Sequence, residues 1–237
     1  MARKKYLVVT AGGSGTRMGA DLPKQFLELG GRAILQMTIE RFREACPDIQ
    51  VITVLPEAHI AWWRRYCRAR NFNCPQRLVQ GGFTRFHSVK NALAYVPDGA
   101  IVAVHDGVRP LLSTALIRTM FERMDSVRAL IPVIPCVDTL KVLDKEPDGT
   151  LRTADEEVDR SRVYGAQTPQ IFLSEDLKAA YSKGYDISFT DDASVASAYG
   201  IPLSFVQGER FNIKLTTKED MLLASFILQL SDEEKSS

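Results

Sequence analysis

Short apolar runs alternate with longer amphipathic ones through the first 134 residues, and this alternation leaves few architectures open. The runs cover residues 6–11, 50–55, 76–79, 101–104 and 129–134, too short for helices. Between them, residues 34–45, 60–69, 84–95 and 113–124 place apolar side chains at helical spacing; in the third, Val89, Leu93 and Val96 form the stripe. Strand and helix in strict succession predict parallel strands joined by crossover helices, which then cover both faces of the sheet. The expected fold is therefore α/β, a single Rossmann-like domain over residues 1–230 with a mainly parallel twisted sheet. Such sheets bind ligands in the crevice at the carboxyl ends of their strands. Two unusual loops fall there: Ala11-Gly12-Gly13-Ser14-Gly15 after the first run, and His105-Asp106-Gly107-Val108-Arg109-Pro110 after the fourth.

Beyond the fifth run the pattern changes. Residues 138–143 read as an exposed strand, because Leu140 and Val142 sit among polar neighbours, and residues 144–150 read as a turn. The excursion from about 137 to 162 has little to bury, and an isolated hairpin is marginal, so it is read as a β-hairpin arm that packs on a second copy in a homodimer, the duller alternative being a floppy surface hairpin. Helices are expected from Ser174 and from Thr190-Asp191-Asp192, with a strand at 203–206 and an extended piece at 212–215. Thr217 is a natural N-cap for a last helix whose first turn is acidic. Residues 231–237, SDEEKSS, read as a disordered tail.

Composition narrows the class. A formal net charge of +1 argues against a concentrated basic face, so neither nucleic acid nor a membrane surface is an expected partner. The apolar run near the N-terminus is shorter than a signal-peptide core, and no stretch approaches a membrane span; a cytoplasmic protein is expected. Cys46, Cys67, Cys74 and Cys136 show neither CxxC nor metal-ligand spacing and read as reduced structural thiols.

The glycine loop matches neither common nucleotide motif. A dinucleotide fingerprint requires G-x-G-x-x-G, and here the third glycine, Gly19, is one place late; the Walker A lysine is absent. What remains is a loop of backbone N–H groups followed by two cations, Arg17 and Lys24. Backbone amides with fixed cations hold a polyphosphate and stabilise charge gathering on one phosphorus. Transfer at phosphorus needs positioning and electrostatics more than a protein nucleophile. The duller alternative is a glycine turn with two solvated cations. Asp106, at a strand tip, suits a Mg2+ ion held by one carboxylate and substrate phosphates, and Arg109 adds a third cation nearby. Its duller role is to cap the loop before Pro110. His105 reads as structural. The three histidines lack metal or triad spacing, which excludes zinc hydrolysis and Ser-His-Asp catalysis. Gly81-Gly82 before Thr84-Arg85 is a helix entry that could also approach a base or ribose. Thr168, Thr190 and Lys214 lie at element ends, where a phosphate site or ordinary caps are both compatible.

Taken in order, AGGSGTRMG…LPKQFLELGGRAIL, VQGGFTRFHSV, VHDGVRPLL, VDTLKVL, YGAQTPQIF, TDDASVASAYG and NIKLTTKEDMLLA resemble the 2-C-methyl-D-erythritol 4-phosphate cytidylyltransferase family of the non-mevalonate isoprenoid pathway, from about residue 6 to 230. The resemblance implies a nucleotidyltransferase domain in which the sugar-alcohol phosphate attacks the α-phosphate of CTP and pyrophosphate leaves. It implies that Ala11, Gly12, Gly13 and Gly15 wrap the CTP phosphates and cytosine, and that Arg17, Lys24 and Lys214 serve the α-phosphate. Gly82 and Ser88 would contact base and ribose, and Asp106 the ribose and Mg2+. Arg109, Thr168 and Thr190, with Thr139 and Arg160 from the arm of a second copy, would form the sugar-phosphate site. Phe83 departs from the family, where an acidic or polar residue is expected. The competing readings are a ribitol 5-phosphate cytidylyltransferase, a sugar-1-phosphate nucleotidyltransferase using UTP or GTP, and a nucleotide-binding module without turnover.

Overall fold

The computed structural model describes residues 3–13, 22–154 and 157–236. In chain order the elements are β1 (Lys5–Thr10), β2 (Glu28–Leu29), β3 (Arg32–Ala33), α1 (Ile34–Ala45), β4 (Gln50–Leu55), α2 (Glu57–Ala69), β5 (Gln76–Gln80), α3 (Arg85–Leu93), β6 (Ile101–Asp106), α4 (Thr114–Arg123) and β7 (Ala129–Pro135). They continue as β8 (Leu143–Lys145), β9 (Leu151–Thr153), β10 (Tyr164–Ala166), β11 (Gln170–Leu173), α5 (Ser174–Ser182), α6 (Asp192–Ala198), β12 (Ser204–Gln207) and α7 (Lys218–Ser236).

The main sheet runs β10-β7-β11-β6-β1-β4-β5, with β12 parallel to β7. β5, β4, β1 and β6 are parallel, as the alternation requires. β11 is inserted antiparallel between β6 and β7, and β10 continues antiparallel along β7. Side chains alternate across each strand. On β1, Leu7 and Val9 pack with Leu35, Ile39 and Phe42 of α1 and with Ile117 and Met120 of α4. Val8, between them, faces the other core with Val89 of α3, Leu177 of α5 and Val195 of α6. The two layers of helices therefore cover the two faces, and β1 is the central strand. Its register sets Thr10 opposite Asp106 on β6 and Val54 on β4, so the loops after all three strands emerge side by side.

Three local expectations are corrected. Among the described residues the strand at 138–143 is absent as such; the ladder begins only at Leu143, paired with Thr153, and beyond it Val142 O accepts one further bond, from Ala154 N–H at 3.0 Å. The cap of α6 is Asp191, in a capping box with Ser194, and Thr190 lies just outside it. The last helix continues to Ser236, through the segment expected to be disordered, since Glu233, Glu234 and Lys235 favour helix and no Gly or Pro interrupts them.

His105 lies on β6 under the site, fully buried against Phe42, ring centroids 4.9 Å apart. Its Nε2 lies 3.3 Å from Arg109 O. Burial pushes its pKa down to about 4, against the opposing pull of Asp106. The folded pKa is depressed, so stability is lost as pH falls from about 6.5 towards 4, by about 3 kcal/mol in total. Urea unfolding across that window is expected to show this loss, and His105→Phe, which keeps a ring against Phe42, is expected to remove most of it. An unchanged pH slope in the variant would refute the assignment.

Candidate active site

A cleft of about 920 Å³ opens at the carboxyl ends of β1, β4 and β6. Its floor is the end of β1 with Ala11, Gly12 and Gly13. Ala11 N–H bonds Val54 O at 3.0 Å, which continues the strand geometry into the loop.

Lys24 reaches this cleft because its neighbours are tied down on both sides. It opens a short 3-10 turn, Lys24–Phe26, behind Pro23. Gln25 is buried, and its Nε2 donates to Ala11 O at 2.7 Å. Phe26 is buried against Trp62 and Trp63, with centroids 4.4 and 6.0 Å away. The lysine stem runs over Gly13, where a Cβ would sit 3.5 Å from Lys24 Cε. Arg17 and Gly15 lie outside the described residues.

The opposite wall is the entry to α3. Gly81 N–H bonds Leu55 O at 2.8 Å. The Ser88 hydroxyl donates to Thr84 O at 3.0 Å and accepts from Gly82 N–H at 3.1 Å, so it organises the loop. Thr84 caps the helix. A Cβ on Gly82 would stand 2.4 Å from His87 Cβ and 3.0 Å from its carbonyl carbon. Gly82→Ala is therefore expected to displace the loop, costing about 1–3 kcal/mol by overpacking and weakening nucleotide binding. Urea unfolding and CTP titration of the variant check both; wild-type values would refute the crowding.

Asp106 is the electrostatic centre. Its Oδ2 lies 3.1 Å from Lys214 Nζ and 3.2 Å from Arg109 Nε; its Oδ1 lies 3.8 Å from Arg85 Nε. Its backbone N–H donates to Thr168 Oγ1 at 3.1 Å. Burial works to raise its pKa, but Arg85, Lys214 and Arg109 outweigh it and hold the carboxyl well below the usual range. Arg109 is fixed again by a 2.7 Å bond to Asn212 O. Arg85 turns its other edge to the buried Asp192, with Nη2 to Oδ2 at 2.5 Å, and Tyr181 donates to the same carboxylate at 2.6 Å. Among the described residues the cleft is lined by three cations, Lys24, Arg85 and Lys214, against the carboxylates of Asp106 and Glu57, with Arg109 behind Asp106, which leaves it suited to a polyanion.

The structure brings Ala11, Gly12, Gly13, Lys24, Gly82, Ser88, Asp106 and Lys214 to one cleft. Arg109 and Thr168 stand directly behind Asp106 rather than on its wall. Thr190 is exposed two residues before Asp192. Thr139 and Arg160 belong to the exposed arm, where Arg160 Nη1 donates to Val137 O at 3.1 Å. Sequence reading missed Arg85 as a site residue; its one local signal was a cation opening a helix behind two glycines.

A family model for 2-C-methyl-D-erythritol 4-phosphate cytidylyltransferase matches residues 6–230. The chain belongs to that family. A cytidylyltransferase of this name from Bacteroides thetaiotaomicron is 42% identical over 225 residues, 95% of this chain and 100% of the relative. One from Porphyromonas gingivalis is 44% identical over 230 residues, 96% and 99% of the two chains. Among solved structures, the 4-diphosphocytidyl-2C-methyl-D-erythritol synthase of Anaerococcus prevotii superposes with a TM-score of 0.79 at 28% identity, covering 96% of this chain and 99% of its own. The Thermus thermophilus cytidylyltransferase gives 0.73 at 28% identity, covering 95% and 99%. The α/β fold with a mainly parallel sheet is thus shared with cytidylyltransferases of the isoprenoid pathway.

Among the described residues, no group of three or more His, Cys, Asp or Glu side chains is placed to hold a metal. A Mg2+ ion fits in the manner usual at phosphate-transfer sites, one carboxylate oxygen plus substrate phosphates. Asp106 Oδ1, with its nearest cation at 3.8 Å, is the less engaged oxygen and the one suited to it. None of the described helices is long and apolar enough to cross a membrane.

Proposed function

We propose that this cleft binds CTP and carries the cytidylyl transfer of the family, from CTP to 2-C-methyl-D-erythritol 4-phosphate, giving 4-CDP-2-C-methyl-D-erythritol and pyrophosphate. The convergence of the glycine loop, Lys24, Asp106 and Lys214 at adjacent strand ends carries the reading. An oxygen of the acceptor's 4-phosphate attacks the α-phosphorus, and the bond from that phosphorus to the bridging oxygen breaks as pyrophosphate leaves. The protein supplies no nucleophile. Lys24, held by the Gln25 and Phe26 anchors, and Lys214, aimed by Asp106, meet the negative charge that builds on the α-phosphate oxygens. Arg17 is proposed for the same task. Gly12, Gly13, Gly15 and Gly82 let backbone approach the nucleotide closely. Mg2+, when bound by Asp106 and the phosphates, would neutralise part of the triphosphate charge.

The acceptor is proposed to lie beyond Asp106, toward Arg109, Thr168 and Thr190, with Thr139 and Arg160 entering from the arm of a second copy. The arm supports this: Val137, Leu140, Leu143 and Leu151 are exposed on a hairpin that has no core of its own among the described residues. Pyrophosphate release with CTP and Mg2+, in parallel with 2-C-methyl-D-erythritol 4-phosphate and ribitol 5-phosphate, tests the reading. Release with the first alone is expected. Release with ribitol 5-phosphate alone would replace the acceptor, and release with neither would overturn the reading.

A further inference from the structure

One residue of the cleft is unlike the rest. Phe83 stands at its rim with the whole ring in solvent, at 102% relative exposure, and its nearest aromatic neighbour is His87 at 6.4 Å, edge-on. A single exposed apolar residue is ordinary. This one is displayed by a loop fixed on both sides, through Gly81 N–H to Leu55 O, Gly82 N–H to Ser88 Oγ and the Thr84 cap. Gly81 and Gly82 project no side chain, and Gly82 has no room for one. Phe83 is thus the one side chain that residues 81–83 present to the cleft. It is also the one aromatic ring among the described residues lining it; the walls nearby are Ala11, Val54 and Pro56.

We propose that Phe83 is an affinity-determining residue that stacks its ring on the cytosine of bound CTP. The proposal rests on the CTP reading of the cleft. Every nucleobase has a π-face, so a stacking platform adds affinity without choosing among bases, and removing it weakens binding about tenfold. The phosphates lie elsewhere in the cleft, at Lys24 and Lys214, so the loss falls on nucleotide binding and not on the chemical step.

The test is calorimetric CTP binding and steady-state kinetics on wild type, Phe83→Ala, Phe83→Leu and Phe83→Trp. Phe83→Ala and Phe83→Leu are expected to raise Kd and KM for CTP about tenfold with kcat within twofold, while Phe83→Trp retains wild-type binding. The ratio of kcat/KM for CTP over UTP is expected to stay the same in all four. Phe83→Ala binding CTP within twofold of wild type, or Phe83→Leu matching Phe83→Trp, overturns the stacking role. Failure of the wild type to release pyrophosphate from CTP overturns the underlying reading instead, so the two failures are distinguishable.

Discussion

Replacing Asp106 by asparagine is expected to lower kcat/KM by about 10²–10³-fold and to cost about 3 kcal/mol of stability. The substitution is nearly isosteric, so the effect is electrostatic. Asp106 is buried within reach of Lys214, Arg109 and Arg85, and an amide leaves these three cations facing one another. Lys214 and Arg85 remain partly hydrated, which keeps the cost at the lower end for a broken buried pair. The catalytic loss follows from aim: the carboxylate is the ion-pair partner of Lys214 Nζ among the described residues, and without it a displacement on the order of 1 Å costs about 10² in rate. The pH dependence has a definite sign. The folded pKa is depressed, so the stabilisation is present above the unfolded value of about 3.9 and is lost as pH falls below it. The stability gap between wild type and Asp106→Asn is therefore expected to be flat from pH 7 to about 5 and to shrink below about 4. Turnover within threefold of wild type would remove Asp106 from the centre of the site.

The parts of this molecule that were legible in its sequence are those written locally. The strand–helix alternation fixes β1, β4, β5 and β6 as parallel neighbours, and their carboxyl ends then name the site. Asp106 and the glycine loop could be placed because each directly follows an apolar run. β11 could not: its four residues lie in Gln170–Leu173, yet its partners are Ile101–Asp106 and Ala129–Pro135, and nothing local reports that an antiparallel strand will enter between them. Arg85 was obscured in the same way. As the first residue of α3 it reads as an ordinary helix-entry cation, and its role appears only when the packing of α3 beside α5 and α6 brings Asp192 to it across 107 positions. Thr190 and Asp191 are adjacent and equally capable caps; the capping box with Ser194 selects the aspartate. Lys214 stands on an irregular segment with no periodicity to mark it; its place at an element end left a phosphate site and an ordinary structural role equally open, and likeness to known motifs favoured the first.

Lys24→Ala is expected to separate catalysis from binding most sharply, with kcat falling about 10²–10³-fold and the Kd for CTP rising less than about fivefold. The ammonium sits on a stem laid over Gly13, and Gln25 and Phe26 hold its backbone in place. On the proposed reading the ground-state triphosphate would keep other partners in this cleft: loop amides, Lys214 and, through Asp106, a Mg2+ ion. One cation fewer therefore weakens binding modestly. The α-phosphate gathers additional charge only as the acceptor oxygen closes in, and a fixed cation at that point contributes most in the transition state. Lys24→Arg keeps the charge but replaces a compact ammonium with a planar fork, so it is expected to recover only part of the rate. The folded state is expected to change by no more than about 1 kcal/mol in both variants, because Gln25 and Phe26 hold the backbone of this segment whichever side chain stands at position 24. Single-turnover rates and calorimetric CTP titration measure the two quantities independently. Equal, modest losses in both would assign Lys24 to uniform binding, and the chain would then be better described as a nucleotide-binding module than as a catalyst built around this lysine.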